Sequence, residues 1–531
     1  MAPVDHKDAV QMRSYVACDA TSLEERPLLQ KTTSFIHDRD AAVGHFCRVI
    51  GFNELKPLVL LAIPLVLSSA LDHVSSAVPI MMMGHISTSL SKAYISAIAM
   101  GMAFLLLTGW TVIGGNGSAM DTLCSQSYGA GQKKDLGLVF QAGWMAGNLL
   151  LVPVLCLSIF CKDILLLFGQ TDEVSALASN LVLLMVPAMP LFLFYDLLRR
   201  VLQSQNIVMP LMGVSAVCVF ANLTINYGLM FHTSLGYLGR AVASSIMALL
   251  TPLFLWPYLS HSDVYRQEWK GWDLHTAWTL VPEILQLGMA GAAMVGFEML
   301  SFSIASIVAG MLPNAEVAIS ADVCMHGFRG FFYMLYGPVA VAGSVRVGNA
   351  LGCVIVAHVP SMFIHPCSAN DPDRARLAAW QCIGLCGALG FVGAILMVSF
   401  RHSFPTFYTR DAAIVDLSAQ LLLVCAPFQT AVGVYVGIMG IFRGSGQQTR
   451  GAILNGVTNV LVGLPLGLAL AYAFSNGIVG LWIGISVAIL VCAIYGVVWL
   501  ARVDWDALAY DAQVRTIETH AVAVDADAHH M

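Results

Sequence analysis

From Leu58 to Leu500 the chain is a succession of apolar runs, each near 20 residues or longer, separated by short polar breaks. A hydrocarbon core about 30 Å thick takes roughly 20 apolar helical residues to cross. The breaks predict spans near 58–82, 94–117, 137–160, 175–198, 209–231, 241–260, 282–311, 314–344, 377–400, 411–441, 451–473 and 478–500. A transmembrane β-barrel would show alternating segments of roughly 10 residues, whereas these runs are continuous. The pattern predicts an all-α polytopic membrane protein with twelve transmembrane helices.

Composition agrees: 58% hydrophobic and 11% charged residues leave too much apolar surface for a water-soluble core. The first 55 residues lack the charged-then-apolar layout of a cleaved signal peptide, so the first span is expected to direct insertion. The 13 cysteines are scattered without metal-ligand spacing and read as small apolar fillers. Loops after even-numbered spans carry eleven Lys and Arg, those after odd-numbered spans five, which predicts both termini in the cytosol.

Segments recur in order along the chain. Tyr128-Gly129 and Leu351-Gly352, 223 positions apart, each close a helix, and Gly236-Tyr-Leu-Gly239 is echoed by Gly477-Ile-Val-Gly480 after 241 positions. Arg200 to Gln205 and Arg443 to Gly446 similarly open the fifth and eleventh spans. Repeated halves with a site between them are a common transporter plan. The expected organisation is a cytosolic tail at 1–55, a six-helix lobe at 56–262, a cytosolic linker at 263–281, a pseudo-symmetric six-helix lobe at 282–502, and a tail without motif at 503–531. A mostly apolar stretch at 353–369 interrupts the second lobe, read as an added re-entrant or surface segment or as a retained intron.

The segment Asp121-Thr-Leu-Cys-Ser-Gln-Ser-Tyr-Gly-Ala-Gly131 resembles the signature of the multidrug and toxic compound extrusion (MATE) family, eukaryotic type. Ser344-Val-Arg-Val-Gly-Asn-Ala-Leu-Gly352, Phe442-Arg-Gly-Ser-Gly-Gln-Gln448 and Val462-Gly-Leu-Pro-Leu-Gly467 resemble its second-half motifs. The resemblance implies a two-lobe antiporter that expels organic cations, xenobiotics or secondary metabolites in exchange for protons or sodium. It also implies structural roles for Asp121, Gln126, Tyr128, Gly129, Arg346, Gly352, Arg443, Gly444 and Gly446. No cofactor or metal is expected beyond the coupling ion, H+ or Na+. The expected partners are a small organic substrate and the bilayer, with no nucleic acid, for a monomer in a vacuolar, endolysosomal or plasma membrane.

Ionisable groups inside a membrane are costly and mark function. Glu298, mid-way along the seventh span with nothing basic nearby in sequence, also matches a glutamate that the resemblance implies there. It is the leading carboxylate for exchanging a proton. Asp72 and His73 form either a proton relay or a satisfied polar pair. Asp322, His326 and Arg329 share one stripe of the eighth span, where Asp322 either couples ions or is compensated by Arg329 through His326. Asn222 and Asn226, one turn apart, either bind the ion or its water or bond between helices. Met81, Met82, Met83 and Tyr435 read as packing or lipid-facing groups. Two acids that the resemblance leads one to expect are absent, at Ala293 and Val432, which leaves neutral or anionic metabolites open as substrates.

Other classes fare worse. An intramembrane enzyme needs a nucleophile–base or metal constellation, and no HExxH or Ser/His motif is present. A flippase of the same superfamily would have a more cationic cavity, and a channel needs no buried acid. Glu24 with Leu28 and Leu29 fits an acidic dileucine sorting signal, with a solvated tail as the default reading.

Overall fold

A computed structural model describes residues 32–83, 91–262, 269–353, 371–473 and 477–530. The sorting motif at Glu24, Leu28 and Leu29 and nearly all of the 353–369 stretch lie outside the described residues. Among the described residues, eleven helices are long and apolar enough to cross a membrane. With one further helix they are α1 (Glu54–Pro79), α2 (Ser96–Gly129), α3 (Lys133–Ile159), α4 (Asp172–Ser204), α5 (Met209–Phe231), α6 (Gly236–His261), α7 (Leu274–Ala309), α8 (Ala315–Gly352), α9 (Pro372–Ser399), α10 (Ala412–Gly444), α11 (Gln448–Tyr472) and α12 (Gly477–Arg502). The further helix, α8, is 38 residues long; Glu316, Asp322, Arg329 and Arg346 lower its hydropathy, and its length and packing identify it.

Span ends depart from hydropathy where polar motifs continue a helix. α2 runs on to Gly129 through the Asp121 motif, and α7 begins at Leu274, inside the stretch expected to be linker. Its start is capped: the Asp273 side chain accepts from the Thr276 N–H at 3.1 Å. α2 widens into a π-helical turn at Leu106–Trp110 and α11 at Gly456–Gly463.

Buried side chains of α2–α4 form one large apolar cluster and those of α8–α12 another. The first helix of each half leans on the opposite half. Leu58, Leu61 and Leu65 of α1 belong to the second-half cluster, and Leu280, Val281 and Ile284 of α7 to the first-half cluster. Glu54 ties α1 to the second half by pairing with Arg346 of α8 and, at 2.9 Å, with Arg374 of α9.

The C-terminal segment is not a featureless tail. It forms α13 (Trp505–His530), whose buried stripe Trp505, Leu508, Ala512, Thr516, Thr519 and Ala523 follows helical spacing. Its first turns join the second-half cluster and Ala523 joins the first. Gln513 donates to the Cys353 carbonyl at 3.3 Å, and His520 lies 2.8 Å from Asp135 in the first turn of α3. Burial holds the Arg515 guanidinium below its usual range, beside the Ser445 carbonyl.

Candidate functional site

Four helices of the second half converge on Glu298. The carboxylate is buried; Arg329 of α8 donates to one oxygen at 3.2 Å and the Tyr435 hydroxyl of α10 to the other at 3.0 Å. Asn455 of α11 donates to the Tyr435 hydroxyl at 2.9 Å and to the Met294 carbonyl at 2.8 Å. The isolation expected for Glu298 is therefore corrected: its countercharge arrives from a neighbouring helix, 31 positions later in the chain. Tyr435, expected to be packing, is its second hydrogen-bond donor.

Arg329 does not compensate Asp322. Asp322 accepts from Trp482 Nε1 at 2.8 Å and from Ser306 Oγ at 2.6 Å. His326 Nδ1 stands 3.0 Å from the Asp322 carbonyl and 3.5 Å from its carboxylate. Phe302 separates the two acid clusters, with Arg329 stacked 3.9 Å from the ring centre and His326 edge-on at 5.8 Å. The result is one contiguous network across α7, α8, α10, α11 and α12. Its carboxylates hold opposite kinds of partner, a fixed cation at Glu298 and neutral donors with a titratable imidazole at Asp322.

Asp72 is elsewhere. It lines a cavity of about 260 Å³ between the halves, with Tyr195, Arg199, Tyr333 and Arg443. Adjacent residues on a helix diverge by about 100°, and among the described residues no hydrogen bond joins Asp72 to His73. Neither a relay nor a polar pair bonded directly between the two is seen among the described residues. Asn226 donates to Asn222 within α5, to the backbone carbonyl at 2.8 Å and to the side-chain oxygen. That bond is local to one helix, and neither residue lines the cavity.

The motif residues meet as a seal at the end of the molecule where α13 lies. Gln126 donates to the Gly444 carbonyl at 3.1 Å, and Gln448 to Thr122 Oγ1 at 2.6 Å and the Ser118 carbonyl at 3.1 Å. Gly129 and Gly352 make reciprocal close approaches: a methyl group on Gly129 would collide with the Asn349 carbonyl, and one on Gly352 with the Gln126 carbonyl. Asn349 lies 223 positions after Gln126, as Gly352 does after Gly129, so the two helix ends cross in a pseudo-symmetric contact. Gly446 holds the positive φ of 74° that ends α10, while Tyr128 supports Lys133 through a cation–π contact at 5.4 Å. Asp121 belongs to a second buried charge cluster, with Arg200 at 2.6 Å from it and 2.9 Å from Asp196.

One repeat pairing moves. Asn206 (φ 62°) and Gly446 (φ 74°) occupy the same left-handed position after α4 and α10, with matching turn bonds from Ile207 to Leu202 and from Gln447 to Phe442. Gln203, not Arg200, is therefore the counterpart of Arg443. Asn455 and Trp482 escaped the sequence reading, as did the polar role of Tyr435, although an arginine inside a span announces that some acid must meet it.

Two six-helix lobes, a polar cavity between them and a buried carboxylate–arginine network in one lobe are the plan of a membrane transporter. The chain belongs to the multidrug and toxic compound extrusion family: the MatE family model matches residues 64–228 and 366–469. It is 30% identical over 467 residues to multidrug and toxin extrusion protein 1 of Oryctolagus cuniculus, covering 87% of this chain and 77% of the relative. The Mus musculus protein of that name is 29% identical, covering 87% and 78%. The crystal structure of the eukaryotic MATE transporter AtDTX14 superposes with a TM-score of 0.78 at 26% identity, covering 88% of this chain and 99% of that one. The relatives are transporters, not enzymes, and the chain is a multi-pass membrane protein. Glu298, Asp322 and Arg329 fall in the stretch between the two matched regions.

Proposed function

We propose that this chain exports small organic compounds in exchange for protons, by alternating access of its two lobes, with Glu298 as the coupling carboxylate and Asp322 and Asp72 as modulators. The relatives named for multidrug and toxin extrusion support export. The observation that carries the coupling assignment is the buried contact of Glu298 with Arg329 at 3.2 Å and Tyr435 at 3.0 Å.

Protonating Glu298 removes the negative partner and leaves Arg329 buried without compensation, which favours a rearrangement of α7 against α8. The same guanidinium argues for protons over sodium, because a bound Na+ would share its oxygen ligand with a cation at 3.2 Å. Export of organic anions or metabolites is the second reading. It is favoured by Arg443, whose buried Nε has no hydrogen-bond partner beside the inter-lobe cavity.

Both termini lie in the cytosol on this reading, in a vacuolar, endolysosomal or plasma membrane. The test is proteoliposome counterflow with imposed pH or sodium gradients and a panel of cationic and anionic compounds. Glu298→Gln should reach the membrane and lose pH-driven exchange, with Glu298→Gln/Arg329→Gln as the charge-balanced control. Wild-type rates and an unchanged pH dependence in both variants would overturn the assignment.

A further inference from the structure

The inter-lobe cavity of about 260 Å³ is lined by four charged side-chain positions, Asp72, Arg199, Arg200 and Arg443. Two of them are compensated by the protein itself. Arg200 pairs with Asp121 at 2.6 Å and with Asp196 at 2.9 Å, and Arg199 pairs with Asp196 at 2.6 Å, so two guanidiniums face two carboxylates. Asp72 and Arg443 remain, and among the described residues neither makes an ion pair, with the other or with any third group. Exposed Asp72 shares its surroundings with Ser215, Tyr195 and the already paired Arg199. Arg443 shares its own with Tyr333, and the Glu298 carboxylate whose field reaches it is held by Arg329 at 3.2 Å. One acid and one base, drawn from opposite halves, thus open on the same space.

The hydrogen-bonding groups around them are unsatisfied as well. Ser68 Oγ, Arg199 Nε and Arg443 Nε are buried without a partner, and all three residues line the cavity. An uncompensated charge within the membrane is costly, and a buried donor left unmade adds to the cost. A cation in the cavity would answer Asp72 and leave Arg443 unpaired, while an anion would do the reverse. Only a ligand with both signs compensates both. The volume lies below the roughly 300–1,000 Å³ of sites for drug-sized ligands, so that ligand is small.

We propose that the inter-lobe cavity binds a small zwitterion of the amino-acid class, its ammonium group on Asp72 and its carboxylate on Arg443. The assignment rests on the export reading above and names the substrate class of that transport. Asp72 is what separates this site from a simple anion site.

The test measures equilibrium binding of tritiated L-phenylalanine and L-leucine to the full-length chain in phosphatidylcholine nanodiscs. The competitors are the matched methyl esters, which keep only the ammonium group, and the deaminated acids, which keep only the carboxylate. A charged hydrogen-bonded contact is worth about 10–100-fold in affinity, so each zwitterion should bind tighter than its ester or acid by about that factor. Asp72→Asn should erase the advantage over the acid, and Arg443→Gln the advantage over the ester, with Arg443→Lys restoring part of it. Equal affinity for a zwitterion and either single-charge analogue would overturn the proposal, as would variants that weaken all three compounds alike. No saturable binding, in a chain that still exchanges other compounds in counterflow, would overturn it and leave the export reading intact. Saturable, charge-selective binding without any counterflow would instead sink the export reading and leave the site standing.

Discussion

In the first lobe Arg200 bridges Asp121 of α2 and Asp196 of α4, and all three are largely buried. At the corresponding places in the second lobe stand Gly440, Ser344 and Val436, set by the turns at Asn206 and Gly446 and by the crossing of Gly129 with Gly352. There α10 packs on α8 almost backbone to backbone, since a methyl on Gly440 would lie 2.5 Å from the Ala340 carbonyl. The second lobe instead places its charges around Glu298 and Arg329. The repeat preserves helix paths and turn geometry but not electrostatics. The first lobe uses charge to lock two helices, while the second leaves that lock apolar and holds an acid that can change its protonation.

The largest test of this contrast is Arg200→Leu, which would strand Asp121 and Asp196 in the interior. Removing one member of a buried ionic cluster costs about 3–5 kcal/mol, so thermal unfolding in detergent should show a severe loss. A loss below about 1 kcal/mol would erase the distinction between the lobes. Gly440→Ala should come next, at about 1–3 kcal/mol from overpacking, read in the same assay. A further sharpening is a double-mutant cycle at Glu298→Gln and Arg329→Gln. If the pair compensates charge, the double variant should be more stable than the sum of the single losses, with a coupling of about 0.5–3 kcal/mol. The smallest effect belongs to His520→Gln. Its side chain is 49% exposed, so solvent screening should hold the stability change to about 0–1 kcal/mol.

The spans were legible because lipid imposes a run of apolar residues that nothing else in the chain imitates. The family motifs were legible as strings, and their placement at helix ends followed from the repeat. Their mutual contact was not, because Gln126 and Gly444, 318 positions apart, meet only once two lobes are packed. Glu298 was found from its cost in the membrane, while Arg329, Tyr435 and Asn455 come from three other helices. The repeat register near Arg443 was misread for a related reason. Arginine attracts the eye, whereas the left-handed turns at Asn206 and Gly446 fix the alignment through backbone geometry that residue identity expresses weakly.

Helix α13 has the geometry of a lever. Only Val503 and Asp504 separate it from α12, so its root belongs to the second lobe, and its far part touches the first through His520 and Asp135. At 1.5 Å per residue the arm from Trp505 to His520 is about 22 Å long. A hinge rotation of about 10° between the lobes would swing the tip by about 4 Å on that arm, more than a hydrogen bond can stretch. The contact would then be made or broken by an angular change too small to disturb most of the packing within either lobe. Paired probes at these two positions would serve as a goniometer for the angle between the lobes.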